Sequence, residues 1–367
     1  MNQVRRISAS AEACGLLLIL TIACTAGGYA QNSDPDVVAT LGSTVPANGD
    51  VNPYGVARVP QTVGRLVEGQ FLVSNFNNAA NQQGTGSTIV QMKPNGSMQQ
   101  FAQIDPNTVS CPGGIGLTTA LVALRSGFVV VGSLPTTDGT AATAQAGRLI
   151  VLDSNGKVVG TISGHDINGP WDMTAVDNGD AFVLFVTNVL NRTVAARGRV
   201  VDGGTVVRLS FLVPPNGTPQ LAESSVIAAG FPERTDPAAL VIGPTGVAFD
   251  PQTGNLLVAD SLDNRIAAIP NAMARKGSAG TGVTVSMGGA LNDPLGASLV
   301  GRDLFVANGD DGNIVEVDVS TGQQVDVTLV DSSGGPPPGA GALFGLWALS
   351  GNVYFVDDAT NTFNLLH

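Results

Sequence analysis

Short apolar runs, each bounded by Gly, Pro, Asn or Asp, follow one another from about residue 37 to the end of the chain. None carries the three-to-four-residue spacing of an amphipathic helix, so the pattern predicts short strands joined by tight turns throughout. One run recurs six times: an apolar strand ending in a small or polar residue that includes Asn, Asp or Ser. The copies are FLVSN ending at Asn75, FVVVGS at Ser133, FVLFVTN at Asn188, LLVAD at Asp260, LFVAN at Asn308 and VYFVDD at Asp358. They stand roughly 50 to 70 residues apart, near the roughly 40 to 50 residues of a four-stranded propeller blade.

Each copy follows a Gly-containing apolar strand and precedes a turn and another alternating strand, which predicts an all-β, six-bladed β-propeller. The widest interval holds the segment 191–204 and the turn Pro214-Pro215-Asn216-Gly217, and its extra length is expected to be loop. The last blade runs out of chain after Phe363 to His367, which leaves a sheet edge open to aggregation. The apolar run Val37 to Leu41 lies outside the count of six. It is expected to close the ring as the outer strand of the last blade.

The segment GPTGVAFDPQTGNLLVADSLDNRIAAI, from Gly243 to Ile269, resembles an NHL repeat, and LFVANGDDGNIVEVDVSTG, from Leu304, is similar to YVTN-type propeller repeats. The resemblance implies a propeller related to the gluconolactonase-like group, whose metal is held by Glu, Asn and Asp in the channel. None of the six first strands here begins with a glutamate. Glu68, the nearest acid in blade one, precedes the second strand and belongs to the opposite face.

Targeting comes from the first thirty residues. Arg5 and Arg6 precede the apolar run Leu16 to Ala23, and small residues lead to Ala30, so residues 1–30 read as a signal peptide and residues 31–367 as one propeller domain. The alternative is a lipid anchor at Cys24. Export to the periplasm or the extracellular space follows, and the run is too short to span a bilayer. Cys14 and Cys24 fall in this segment, leaving Cys111 without an internal disulfide partner. The 47 glycines and 21 prolines suit a turn-rich β fold. A net charge of −12, with lysine only at Lys93, Lys157 and Lys276, excludes a nucleic-acid partner, since phosphate binding needs a basic face.

Candidate chemistry gathers on the rim where first strands start and second strands end, the default place for a small ligand. The expected ligand-binding residues there are Tyr54, Asn75, Trp171, Asp172, Asn188, Asp260, Asn308, Phe344 and Asp358. Asn and Asp at strand ends also serve their own loops in Asx turns, and rim aromatics also wedge between blades. A ring of oxygen ligands would suit calcium as the alternative to having no cofactor. His165, in the loop Gly164 to Pro170 beside Asp166, is the sole catalytic candidate, as a general base.

The leading expectation is an exported, non-catalytic binding or scaffold propeller for a small molecule, glycan or envelope protein. The alternatives are a metal-dependent lactonase-type hydrolase and a lyase using His165.

Overall fold

The computed structural model describes residues 37–109, 113–237 and 239–367. The expected signal peptide, Cys24 and Cys111 lie outside the described residues. Strand β1 (Val38–Ser43) is followed by blade one, formed by β2 (Val51–Arg58), β3 (Phe71–Asn77), β4 (Thr88–Met92) and β5 (Met98–Gln103). Blade two holds β6 (Leu117–Ala123), β7 (Val129–Ser133), β8 (Arg148–Leu152) and β9 (Val158–Ile162). Blade three holds β10 (Pro170–Asp177), β11 (Ala181–Asn188), β12 (Val201–Leu212), β13 (Gln220–Asp236) and β14 (Leu240–Ile242).

Blade four holds β15 (Pro244–Phe249), β16 (Leu256–Asp260), β17 (Arg265–Ile269) and β18 (Val283–Met287). Blade five holds β19 (Pro294–Val300), β20 (Asp303–Asn308), β21 (Asn313–Asp318) and β22 (Gln323–Leu329). Blade six holds β23 (Leu343–Leu349), β24 (Asn352–Asp357) and β25 (Thr362–Leu366). Each blade is an antiparallel meander, and all six repeats found in the sequence are second strands of blades.

The ring closes as the sequence predicts. Strand β1 pairs antiparallel with β25, Val38 opposite Leu366 and Thr40 opposite Asn364. The Val37 amide donates to the His367 carbonyl at 2.8 Å, so the two ends of the described chain share one ladder.

Alternating side chains of each blade pack against the next blade, which builds a core at every junction. Leu72, Ile89, Val129 and Val131 fill the junction of blades one and two, and Leu184, Val186, Leu149 and Val151 that of two and three. Phe71 meets Tyr354 and Phe363 at the closing junction, with ring centroids 4.3 and 5.3 Å apart. Nearest the axis the first strands touch backbone to backbone. A Cβ at Gly246, Gly296 or Gly345 would run into the carbonyl oxygen of Leu295, Phe344 or Tyr54 on the next blade, so only glycine fits there.

Blade three departs from the expectation of a loop. Apart from a four-residue helix, α1 (Thr193–Ala196), and the turn at 214–217, most of its extra length is strand: β12 and β13 form a hairpin of 12 and 17 residues. Their alternating Val, Leu and Phe face the blade core, and four register shifts let the long ribbon bend. The end of β13 pairs with β14 in a second small ladder.

Candidate functional site

The first and second strands do present their ends on one face, and the aromatic residues expected there are present but buried. Tyr54, Trp171 and Phe344 are 2, 3 and 2% exposed. Tyr54 stacks on Phe344 at 3.9 Å, on Phe76 at 4.5 Å and toward Trp171 at 6.5 Å between centroids. The Trp171 indole Nε1 donates to the Val241 carbonyl at 3.1 Å, which ties the plug to β14. These rings stack on one another and plug the channel beneath β14.

The polar residues at the strand ends are tied to nearby loops. The Asn188 side-chain oxygen accepts from the Asn168 amide at 3.0 Å, and Asn308 accepts from the Asn292 amide at 3.2 Å while donating to the Ala290 carbonyl at 2.7 Å. Asn75 donates to the Thr44 carbonyl at 3.2 Å. Asp260 pairs with Arg265 at 2.6 Å inside its own blade, and burial still pushes its carboxyl up to about 6. Turned so that both of its sides are satisfied, the Asn52 amide nitrogen donates to Asp358 at 2.9 Å. Burial, then the neighbouring Asp357, raises Asp358 to about 7. Burial, then the charge of Asp358, holds the Tyr54 phenol well above its ordinary value.

His165 lies exposed in its loop, where its backbone is left-handed and its carbonyl accepts from Ser224 Oγ at 3.1 Å. Asp172 lines the channel wall instead. Its carboxylate accepts from the Met173 amide at 2.8 Å and the Val247 amide at 3.2 Å, and burial outweighs both, raising it to about 8. Among the described residues no three His, Cys, Asp or Glu side chains converge to hold a metal ion.

A pocket of about 490 Å³ opens on the rim between the end of β13 and the loops of blades four to six. Its apolar side is Ile242, Leu262, Leu295 and Phe344, and its polar side is Arg234, Asp236, Asp293 and Asp310. Arg234 and Asp236 pair at 2.7 Å. Asp293 immediately precedes β19 with a left-handed backbone, and its amide donates to Asn264 Oδ1 at 2.7 Å.

The carboxyl group of Asp293 has a buried Oδ1 with no hydrogen-bond partner. Burial, then the charges of Asp310 and Asp236, raises it to about 7, with Arg234 and the Ser261 hydroxyl working the other way. Burial, then Asp236, raises Asp310 in the same direction. Sequence reasoning missed this group because Arg234 and Asp236 come from the insertion expected to be loop. The one local signal was Asn292-Asp293-Pro294, an Asp fixed by the following proline at the mouth of a first strand.

The sequence matches no protein-family model and no curated protein. Solved structures do match. The PQQ-bound aldose sugar dehydrogenase of Streptomyces coelicolor superposes with a TM-score of 0.56 at 15% identity, over 90% of this chain and 98% of that one. A gluconolactonase of Xanthomonas campestris gives 0.54 at 14%, over 90% and 89%. A luciferin-regenerating enzyme gives 0.54 at 10%, over 90% and 95%. The chain shares their fold. At these identities the likeness extends to the six-bladed architecture and no further.

Proposed function

We propose that the protein is a hydrolase that opens a small polyhydroxylated lactone or ester in the rim pocket, with Asp293 as general base. The observation that carries this reading is the Asp293 carboxyl itself: half-buried, raised to about 7 and set in the wall of a ligand-sized pocket beside Arg234. At neutral pH such a group is divided between its acid and base forms, so it can take a proton and return it within one cycle.

In this reading Asp293 takes a proton from water as the water oxygen bonds to the substrate carbonyl carbon. The guanidinium of Arg234, held by Asp236 at 2.7 Å, lines the same pocket and stabilises the oxyanion that forms. The ring C–O bond then breaks, and the leaving alkoxide takes the proton back from Asp293. Three enzymes among the structural neighbours, one of them a gluconolactonase, favour an enzyme over the non-catalytic scaffold expected from the sequence.

The test is acid release from a panel of sugar lactones, glucono-δ-lactone included, by the wild type and Asp293→Asn. General-base loss lowers kcat by roughly 100- to 10,000-fold. A wild type no faster than the uncatalysed reaction, or an Asp293→Asn protein as fast as wild type, overturns the reading.

A further inference from the structure

A second cavity, of about 350 Å³, lies in the channel on the far side of the aromatic plug, walled by the later residues of all six first strands. Asp172 occupies the position that glycine takes at Gly55, Gly246, Gly296 and Gly345, where neighbouring first strands close on each other. At blades three and four a carboxyl group fills that gap, bridged to the next blade by the Val247 amide at 3.2 Å. Blade two carries Thr119 at the equivalent position, so Asp172 is the one acid among the six, and departures from the local rule of a fold often mark functional positions.

The chemistry of the cavity is uneven. Arg58 and Arg125 line it, and neither guanidinium makes an ion pair or hydrogen bond with the described residues, whereas Arg208, Arg234 and Arg265 are each paired with a carboxylate. Asp177, the acid nearest them in the wall, is turned to the backbone, accepting from the Arg125 amide at 2.6 Å and the Gly179 amide at 2.8 Å. The remaining wall is mixed, apolar at Leu121, Met173, Phe249 and Trp347 and polar at Asp172, Thr174 and Ser298. Unpaired guanidiniums at the edge of a chamber of this size, with an apolar strip along its wall, suit a carboxylate on a short hydrocarbon body, bound by charge-assisted hydrogen bonds at one end and by burial at the other.

We infer that this channel cavity is a binding site for a small organic carboxylate, held at its head by Arg58 and Arg125 and along its body by Trp347. The site is separate from the rim pocket and stands or falls independently of it.

The protein supplies its own probe, since it has two tryptophans, Trp171 buried in the plug and Trp347 half-exposed in this cavity. Hexanoate titrated into the full-length protein is expected to change tryptophan emission saturably. Trp347→Phe should remove that change while calorimetry still registers binding. Arg58→Gln and Arg125→Gln, made singly and together, should weaken hexanoate binding at least tenfold for the pair without altering the melting temperature, since neither guanidinium holds another residue. Asp293→Asn should bind hexanoate like the wild type. Hexanol or hexanamide binding as tightly as hexanoate, full affinity in the double variant, or no hexanoate binding by calorimetry overturns the assignment.

Discussion

Glu233 offers a quantitative check on the electrostatics of the insertion. Its side chain is fully buried, one oxygen accepts from the Asn191 amide at 2.8 Å, and the other has no partner. Burial, opposed by the Asn191 amide and Arg192, raises its carboxyl to about 8. An acid raised in the folded state binds more protons than the unfolded chain between its two pKa values. Its stabilising share is therefore complete below the ordinary glutamate value and is lost as pH rises through about 8.

The rise from 4.5 to about 8 sets a ceiling of roughly 5 kcal/mol on that loss. Relaxation and water entry around a newly charged group reduce it to something on the order of 2 to 4 kcal/mol. For a domain of this size, at roughly 1.5 °C per kcal/mol, Glu233→Gln should melt about 3 to 6 °C above the wild type at pH 9. At pH 5 the two should melt together, because glutamine keeps the oxygen that Asn191 uses. Calorimetric melting of both proteins from pH 5 to pH 9 is the assay. Parallel curves across that range would refute the assignment of a raised, buried acid at Glu233.

Trp171→Ala removes a ring packed in the plug along with its bond to Val241, and should cost about 3 to 5 kcal/mol, read as a fall in melting temperature of about 5 to 7 °C. An unchanged melt would show that the plug does not hold that face of the ring together. Deleting residues 31 to 45 strips β1 from β25 and exposes an edge, so the melting temperature should drop markedly and aggregation on heating should increase. A wild-type melting curve would contradict closure by that strand. With no converging group of three His, Cys, Asp or Glu among the described residues, calcium in millimolar excess should leave the melting temperature where it is. A rise of several degrees would show a bound ion.

The architecture was legible because the six second strands repeat one pattern and the last blade visibly lacked a strand that Val37 to Leu41 supplied. Local spacing could carry that much because meander blades pair neighbours in sequence. The rim was legible as a face and much less so as a site. Chain direction places Tyr54, Trp171 and Phe344 together, yet whether rings that meet will bind a ligand or each other depends on what covers them. Here the cover is β14, reached through an insertion whose alternation was overlooked in favour of its glycine and proline turns.

Asn75, Asn188 and Asn308 share the strand-end position that suggested a ligand ring, and each is occupied with its surrounding loops. Asp293 and Arg234 are about sixty residues apart in sequence and come from different blades, so only the folded ring puts them in one pocket. Asp172 was singled out for its place on the rim. Its significance lies in the glycine it replaces, which becomes visible once the first strands are seen to touch.

Catalysis in the rim pocket turns on Asp293 acting as a base, and the pH dependence of kcat/KM for the best lactone substrate reads out that role. A base must shed its proton to act, and burial together with Asp310 and Asp236 raises this one to about 7. The wild-type rate should therefore climb tenfold per pH unit below that value and level off above it, while Asp293→Asn shows a low rate with no such limb. A wild-type profile flat between pH 5 and pH 8, or the same limb persisting in Asp293→Asn, would contradict the account.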